Sequence, residues 1–284
     1  MDKPTEHAFE MPRRAFVTTL VAGFTLATGP LNAATIITDA NGLEAGEVQI
    51  TTFDGKIPGY RARPKGKRNA PVVLVVQEIF GVHEHIKDLC RRLAHSGYYA
   101  IAPSLYARYG DPGKYDMAHI QDLMKDVISH VKDSEVMADL DWTVAFAKSE
   151  HADTGRLAIT GFCWGGRIVW LYAAHNHDVD AAAAWYGPLA GTPNEVRPHS
   201  AIELAADIKA PVLGLYAGLD NNIKQPDIDA MTAALKAAGN TKSRIDVFPD
   251  AQHGFNADYR PSYKQDDAQD AWKKMLAWFK KAGV

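Results

Sequence analysis

The stretch that decides the fold is Gly155–Gly166, GRLAITGFCWGG, in which a cysteine follows an apolar run and precedes paired glycines. Its first six residues are typical of a short buried strand, and Arg167–Ala174 has the composition of a helix. A sharp turn from strand to helix with glycines around its central residue is a nucleophile elbow, here with Cys163 where serine is usual. Gly161 and Gly165 suit this turn because neighbouring chain comes too close there for a side chain.

Cys163 is expected to lie at the N-terminus of a helix, where unpaired amides and the helix dipole favour the thiolate. The motif alone leaves a second interpretation open. Glycine-flanked turns also serve plain packing, and a lone cysteine is often a small buried hydrophobic residue. Residues further along the chain favour the catalytic interpretation.

Two more strand-like runs are each followed by a residue that can complete a catalytic triad. Asp220 follows Pro211–Gly218, and His253 lies in the loop after Ser243–Phe248. An aspartate at such a place is often only a turn former. The chain order of nucleophile, acid and histidine is nevertheless that of α/β hydrolases, and it differs from the orders in chymotrypsin and subtilisin. The pattern predicts that Cys163, Asp220 and His253 meet at one edge of a sheet.

A carboxylate follows the most apolar strand of the chain. Pro71–Val76 is apolar throughout, which is typical of a strand buried on both faces, and Glu78 comes two residues after it. Buried carboxylates are rare without a partner or a task. The alternative is a residue at the end of the strand that turns its side chain to water.

Six motifs, in a fixed order over residues 46–284, resemble those of the dienelactone hydrolase family of the α/β hydrolases. They are Gln77–Gly81, Gly97–Tyr98 with Pro103–Arg108, Gly161–Gly166, Trp185–Gly187, Asp220 and His253–Phe255. The resemblance implies an α/β class protein with the α/β-hydrolase fold, a mostly parallel central sheet flanked by helices. It also implies an enzyme that opens a small lactone or cleaves a small ester with neither a cofactor nor a metal ion. A general carboxylesterase, a thioesterase and a catalytically silent ligand-binding member of the fold remain as alternatives.

The same resemblance implies roles for individual residues. Cys163, Asp220 and His253 form the triad, and Glu78 is a fourth participant that helps take the proton of the thiol when substrate binds. We expect Glu78 to pair with Cys163 in the resting enzyme, which would keep the thiol neutral and spare it from oxidation. Backbone amides of two residues form the oxyanion hole, Ile79 and Trp164. A larger set is expected to line the substrate pocket: Phe80, Tyr106, Arg108, Trp185, Tyr186, Phe255 and Arg260. For Trp185 and Tyr186, core packing is the competing interpretation.

Two arginines of the family have no counterpart at the matching positions. Dienelactone hydrolases that act on the dienelactone carboxylate hold it with one arginine in the helical segment after the Tyr-Ala-Arg motif and one just beyond the catalytic histidine. Here residues 111–132 contain no arginine, and Ala257 lies four residues past His253. Arg108 and Arg260 are the candidates to replace them. The departure predicts that neutral lactones or esters are hydrolysed at least as well as carboxylated ones.

The N-terminal residues predict export. Arg13 and Arg14 precede a mildly apolar run that ends in small residues at Ala34, and this resembles a twin-arginine (Tat) signal peptide. We expect residues 1–34 to be cleaved, which leaves residues 35–284 as a single catalytic domain in the periplasm of a bacterium. A disordered tail or a membrane anchor is the alternative. The apolar run is short and polar for a transmembrane helix, so no stable membrane insertion is expected after export.

The resemblance implies a small-molecule substrate as the partner, and composition gives no sign of another. The formal net charge is −3, and nothing in its distribution favours a nucleic-acid partner. The oligomeric state is left open, and a monomer is compatible with the sequence. The two cysteines suit one catalytic thiol and one core residue, because Cys90 falls in the apolar helical pattern of Ile86, Leu89 and Leu93.

Two histidine pairs, His83 with His85 and His175 with His177, lack a carboxylate or cysteine at metal-ligand spacing. We therefore expect them at the surface or at helix caps rather than around a metal ion. Periodicity predicts the remaining elements: a hairpin over 47–53 and 57–62, and helices over 84–96, 134–150, 166–176, 226–238 and 265–281.

Overall fold

The computed structural model describes residues 36–284. The predicted export signal, residues 1–34, lies outside them. The first two strands form the predicted hairpin: β1, Leu43–Thr52, pairs antiparallel with β2, Gly55–Pro64, across a two-residue turn.

Six more strands complete one sheet. They are β3 (Pro71–Val76), β4 (Tyr99–Pro103), β5 (Asp153–Phe162), β6 (Ala181–Trp185), β7 (Val212–Ala217) and β8 (Arg244–Phe248). Their order across the sheet is β1-β2-β4-β3-β5-β6-β7-β8. Strands β3 to β8 are parallel to one another, and the hairpin adds an antiparallel edge beside β4. The predicted mostly parallel sheet of the α/β-hydrolase fold is thereby confirmed.

Helices flank this sheet. They are α1 (Glu84–His95), α2 (Ile120–Asp126), α3 (Asp133–Ser149), α4 (Trp164–His175), α5 (Gln225–Ala237) and α6 (Gln265–Lys281). Five of them lie within two residues of the predicted bounds. The short helix α2 was not predicted, because among its residues only Leu123 is buried and so it carries almost no apolar periodicity.

The parallel strands bring the predicted site residues to one edge of the sheet. All residues of β3 and β6 are buried, which is typical of strands covered on both faces. Segments that follow the carboxyl ends of β3, β5, β7 and β8 carry Glu78, Cys163, Asp220 and His253. Ligand sites of open parallel sheets lie at this edge. Within the described part of the chain, no helix is long and apolar enough to cross a bilayer.

Candidate active site

Cys163 occupies a strained turn between β5 and α4. Its backbone has φ +55° and ψ −118°, a left-handed conformation that side-chain-bearing residues rarely adopt. A Cβ added at Gly161 would lie 2.5 Å from the carbonyl oxygen of Gly165, and one added at Gly165 would lie 2.5 Å from that of Gln77. Both glycines are therefore required by close backbone contacts. The turn leaves the thiol partly exposed at the start of the helix.

His253 lies within hydrogen-bond distance of both other residues of the predicted triad. The Nε2 of His253 is 3.1 Å from the sulfur of Cys163, and its Nδ1 is 2.7 Å from Oδ2 of Asp220. The other carboxylate oxygen of Asp220 accepts hydrogen bonds from the backbone amides of Asn222 and Ile223. These amides fix the carboxylate, which in turn fixes the orientation of the imidazole ring.

Burial and charge interactions determine the pKa values of Asp220 and His253. Burial alone would raise the pKa of Asp220, but its hydrogen bond to His253 and the charge of the ring outweigh burial and lower it. Burial would lower the pKa of His253, but the contacts with Asp220 and Cys163 raise it to about 10. An imidazolium at this position can donate its Nε2–H to the sulfur. It is placed to pass that proton to a leaving group.

Glu78 lies in a buried cluster of its own. Its side chain is fully buried, its Oε2 accepts a hydrogen bond of 2.5 Å from the hydroxyl of Tyr259, and the Nε2 of His83 lies 3.5 Å from the same oxygen. The guanidinium of Arg260 forms an ion pair with Oε1 at 3.5 Å. Burial opposes ionisation, but the charge of Arg260 and the His83 contact prevail and hold the pKa of Glu78 well below its usual range.

The structure differs here from the expected resting pair of Glu78 and Cys163. The contacts of the carboxylate are to Tyr259, Arg260 and His83, and the hydrogen bond of the thiol is to His253. The physical reason is that a buried carboxylate is stabilised more by a guanidinium and a phenol than by a thiol.

A second buried carboxylate lies next to the first cluster. Asp258 accepts a hydrogen bond of 2.9 Å from Arg92, and its Oδ1 lies 3.0 Å from the Nδ1 of His85. The expectation of a surface or cap position is thus wrong for His85, because its ring is buried and its Nδ1 pairs with a buried carboxylate. His83 does precede α1 at the cap position, although its ring is buried. Across residues 36–284, no three side chains of the metal-binding types are grouped to hold a metal ion.

The two backbone amides of the predicted oxyanion hole are not used by the hydrogen bonds of the turn and helix around them. The amides of Gly166 and Arg167 donate to the carbonyl of Cys163, so the helix does not use the amide of Trp164, its first residue. Ile79 lies in a tight turn after β3 that is closed by a bond from the Gly81 amide to the Glu78 carbonyl. That bond leaves the Ile79 amide outside the turn's own hydrogen bonding.

Four of the predicted pocket residues contact the site. The ring of Tyr186 meets that of His253 edge-on at 5.2 Å between centroids. Tyr106 meets Trp164 in the same manner at 4.9 Å. The guanidinium of Arg260 lies 5.5 Å from the ring centroid of Phe80.

The other three predicted pocket residues are engaged elsewhere. The indole of Trp185 donates to the hydroxyl of Thr160, and Phe255 packs between Trp185 and Phe248, so both rings belong to the core. Arg108 forms ion pairs with the carboxylates of Asp54 at 2.6 Å and Asp139 at 2.5 Å. With two carboxylates as partners, Arg108 does not join the site, contrary to its predicted pocket role.

The sequence alone did not indicate Tyr259, His83 or Asp258 as neighbours of the site. Asp258 and Tyr259 stand five and six residues after His253, in a loop that lacks the periodicity of a helix or strand. The available signal was the charged pair Asp258 and Arg260 on either side of Tyr259. Such residues are rarely buried without partners.

The sheet order and the cysteine at the strand–turn–helix place the chain among the α/β hydrolases, and it is an enzyme of that class. It belongs to the dienelactone hydrolase family, whose profile matches residues 57–283. A relative from Methylorubrum extorquens, named "Putative carboxymethylenebutenolidase", is 56% identical over 274 residues, 96% of this chain and 93% of that protein. An Escherichia coli protein of the same name is 51% identical and covers 94% of this chain and 97% of its own length.

A solved structure agrees with the fold. The crystal structure named "Putative Dienelactone Hydrolase" from Klebsiella pneumoniae has a TM-score of 0.81 and 51% sequence identity with this chain. The match covers 84% of this chain and 99% of that one.

Proposed function

We propose that the enzyme uses Cys163 as a nucleophile to open small neutral lactones or to cleave small neutral esters. The observation that carries this proposal is the thiol on a strained elbow, 3.1 Å from an imidazole that an aspartate holds at 2.7 Å. Strained backbone at an exposed, hydrogen-bonded nucleophile is typical of an active site. Family membership supports an ester or lactone as the class of substrate.

The reaction has two steps. Glu78 takes the proton of the Cys163 thiol, the sulfur bonds to the carbonyl carbon, and the amides of Ile79 and Trp164 stabilise the negative charge that forms on the carbonyl oxygen. As the C–O bond breaks, the imidazolium of His253 gives its proton to the alkoxide, which leaves as an alcohol or, in a lactone, remains attached to the acyl group. Water then loses a proton to His253 and attacks the thioester, which releases the acid and the thiolate, and Glu78 returns the proton to the sulfur.

Glu78 can serve as a base only after its partners move. In the structure its donors keep its pKa low, so it is a weak base at rest. Burial acts in the opposite direction, and the pKa of the carboxylate would rise once Arg260 withdraws. Arg260 covers Phe80, and a substrate that packs on that ring would displace the guanidinium. On this proposal, substrate binding makes Glu78 able to take the thiol proton.

The proposal of neutral substrates rests on the partners of the arginines. The charge of Arg260 is neutralised by Glu78, and Arg108 is neutralised by Asp54 and Asp139. Neither guanidinium is free to hold a substrate carboxylate without breaking an ion pair. A charge-assisted hydrogen bond contributes roughly 1.5 to 3 kcal/mol, so its absence weakens carboxylate binding about ten- to a hundredfold.

A pair of cysteine variants tests the nucleophile. Cys163→Ala should abolish hydrolysis of p-nitrophenyl acetate and of simple lactones, and no acylated protein should be detected by mass spectrometry after mixing. Cys90→Ala is the matched control and should keep nearly full turnover, because that thiol is buried in α1 and only packs. Turnover in the purified Cys163→Ala protein would refute the mechanism.

A parallel panel of esters, thioesters and lactones separates the proposed activity from that of a general carboxylesterase or thioesterase. Absence of any acylation would indicate a catalytically silent, ligand-binding member of the fold.

A further inference from the structure

A cavity of about 700 Å³ adjoins the candidate site. It lies between the segment that leads from β3 into α1 and the loop after β4, and its lining includes Val82, His83, Ala107 and Pro112. Its volume lies in the range of cavities that hold a drug-sized ligand, roughly 300 to 1,000 Å³. The cavity is therefore large enough for much more than the reacting carbonyl group.

The cavity shares a wall with the reaction centre. Gln77, Phe80 and Tyr106 all line it. Phe80 directly follows Ile79, whose amide is placed for the oxyanion, and the Tyr106 ring packs edge-on against Trp164, the residue after the nucleophile. A molecule in the cavity thus lies one side chain away from the thiol.

The shared wall contains two buried polar atoms that have no partner other than each other among the described residues. They are Nε2 of Gln77 and the hydroxyl of Tyr106, which face each other, and both side chains are at most 1% exposed. The Oε1 of Gln77 accepts a bond of 3.3 Å from the Leu105 amide, which turns the nitrogen of the side chain towards Tyr106. Because that nitrogen can only donate, the hydroxyl hydrogen of Tyr106 is left without an acceptor. A buried polar group without a partner is costly, so native proteins rarely keep one without a ligand or water to satisfy it.

The position of the cavity determines which part of a substrate can bind in it. The leaving alkoxide must meet His253, since that ring supplies its proton. His253 and the Tyr186 ring that packs on it are not among the residues that line the cavity. The acyl side of the scissile carbonyl is the part that faces the shared wall.

We propose that this cavity binds the acyl group of the substrate, and that the preferred acyl group is an apolar chain or ring with a hydrogen-bond acceptor oxygen. The oxygen accepts from the hydroxyl of Tyr106, and the apolar part packs against Phe80, Val82 and Pro112. This inference rests on the proposed ester hydrolysis and adds the class of acyl group.

The test compares p-nitrophenyl esters of acetate, hexanoate and the series of oxohexanoates with a keto group at each chain position. We expect the wild type to have a kcat/KM at least tenfold higher for one oxohexanoate than for hexanoate, and Tyr106→Phe, which keeps the ring, to remove that preference. Ala107→Phe fills the cavity from its exposed rim and should lower the ratio of hexanoate to acetate kcat/KM at least tenfold. Ala233→Phe, on the exposed face of α5, is the matched control and should keep the wild-type ratio.

The outcomes separate this inference from the proposed function. An unchanged hexanoate-to-acetate ratio in Ala107→Phe, with acetate still hydrolysed through Cys163, would overturn the cavity assignment and leave the ester hydrolase intact. A wild type with no preference for any oxohexanoate would overturn the acceptor requirement. Absence of thiol-dependent hydrolysis of every ester, acetate included, would refute the proposed function itself.

Discussion

Replacement of Glu78 by glutamine should both slow the enzyme and destabilise it. Glu78 is fully buried, and the side chain of its ion-pair partner Arg260 is only 13% exposed. Loss of one member of a buried ion pair costs about 3 to 5 kcal/mol, because the remaining charge is left in a medium that solvates it poorly. The glutamine amide can still accept from the Tyr259 hydroxyl, so we expect a loss near 3 kcal/mol.

This magnitude is measurable by thermal unfolding. For a domain of this size, 1 kcal/mol shifts Tm by roughly 2 to 4 °C, so the Tm of Glu78→Gln should fall by about 6 to 12 °C. Adding Arg260→Met removes the uncompensated charge and should recover more than half of the loss. The non-additivity of the two substitutions measures the coupling of the pair.

The pH dependence of the difference has a definite sign. The pKa of Glu78 is depressed in the folded protein, so its contribution to stability is present above the unfolded pKa, about 4.5, and is lost as pH falls through the folded pKa. The difference in unfolding free energy between wild type and Glu78→Gln should therefore stay constant from pH 8 to pH 5.

Activity provides the second readout. At a temperature where both proteins are folded, Glu78→Gln should lose about 10² to 10⁴ in kcat/KM, the usual contribution of a positioned base. A Tm within 2 °C of wild type would show that the Arg260 pair contributes little. Unchanged turnover would show that Glu78 is structural and that His253 alone activates the thiol.

Three further outcomes are expected. Asp220→Asn should lower kcat by about 10⁴ with little change in fold, as measured by p-nitrophenyl acetate hydrolysis and circular dichroism, because His253 then loses the carboxylate that orients it; wild-type turnover would contradict the triad. Lysines in place of Arg13 and Arg14 should leave uncleaved protein in the cytoplasm of an expressing bacterium, and normal periplasmic yield of the mature form would contradict export. Neutral lactones should be hydrolysed at least as fast as the carboxylated dienelactone; a strong preference for the carboxylate that Arg260→Met abolishes would contradict the proposed substrate class.

The sheet and the elbow could be predicted from sequence because their signals are local. Runs such as Pro71–Val76 are apolar throughout, and the glycines of the elbow stand within three residues of Cys163. The order of Cys163, Asp220 and His253 could be interpreted as a site because the carboxyl ends of parallel strands lie at one edge of the sheet.

The partners of the charged residues could not be predicted in this way. Glu78 meets Tyr259 across 181 positions of sequence, and Arg108 meets Asp54 and Asp139 from two other elements. Which carboxylate reaches which guanidinium depends on the packing of all the elements between them. A single sequence shows the charges, but only the fold shows their distances.

The left-handed backbone conformation at Cys163 brings thermal stability and catalytic activity into conflict at a single residue. A residue with a side chain held in such a conformation stores about 1 to 3 kcal/mol, and glycine adopts it without that cost. The change Cys163→Gly therefore relieves the backbone and deletes the nucleophile together. Directed evolution that selects only for survival of heating would enrich such inactive chains, so each round needs a parallel screen for turnover.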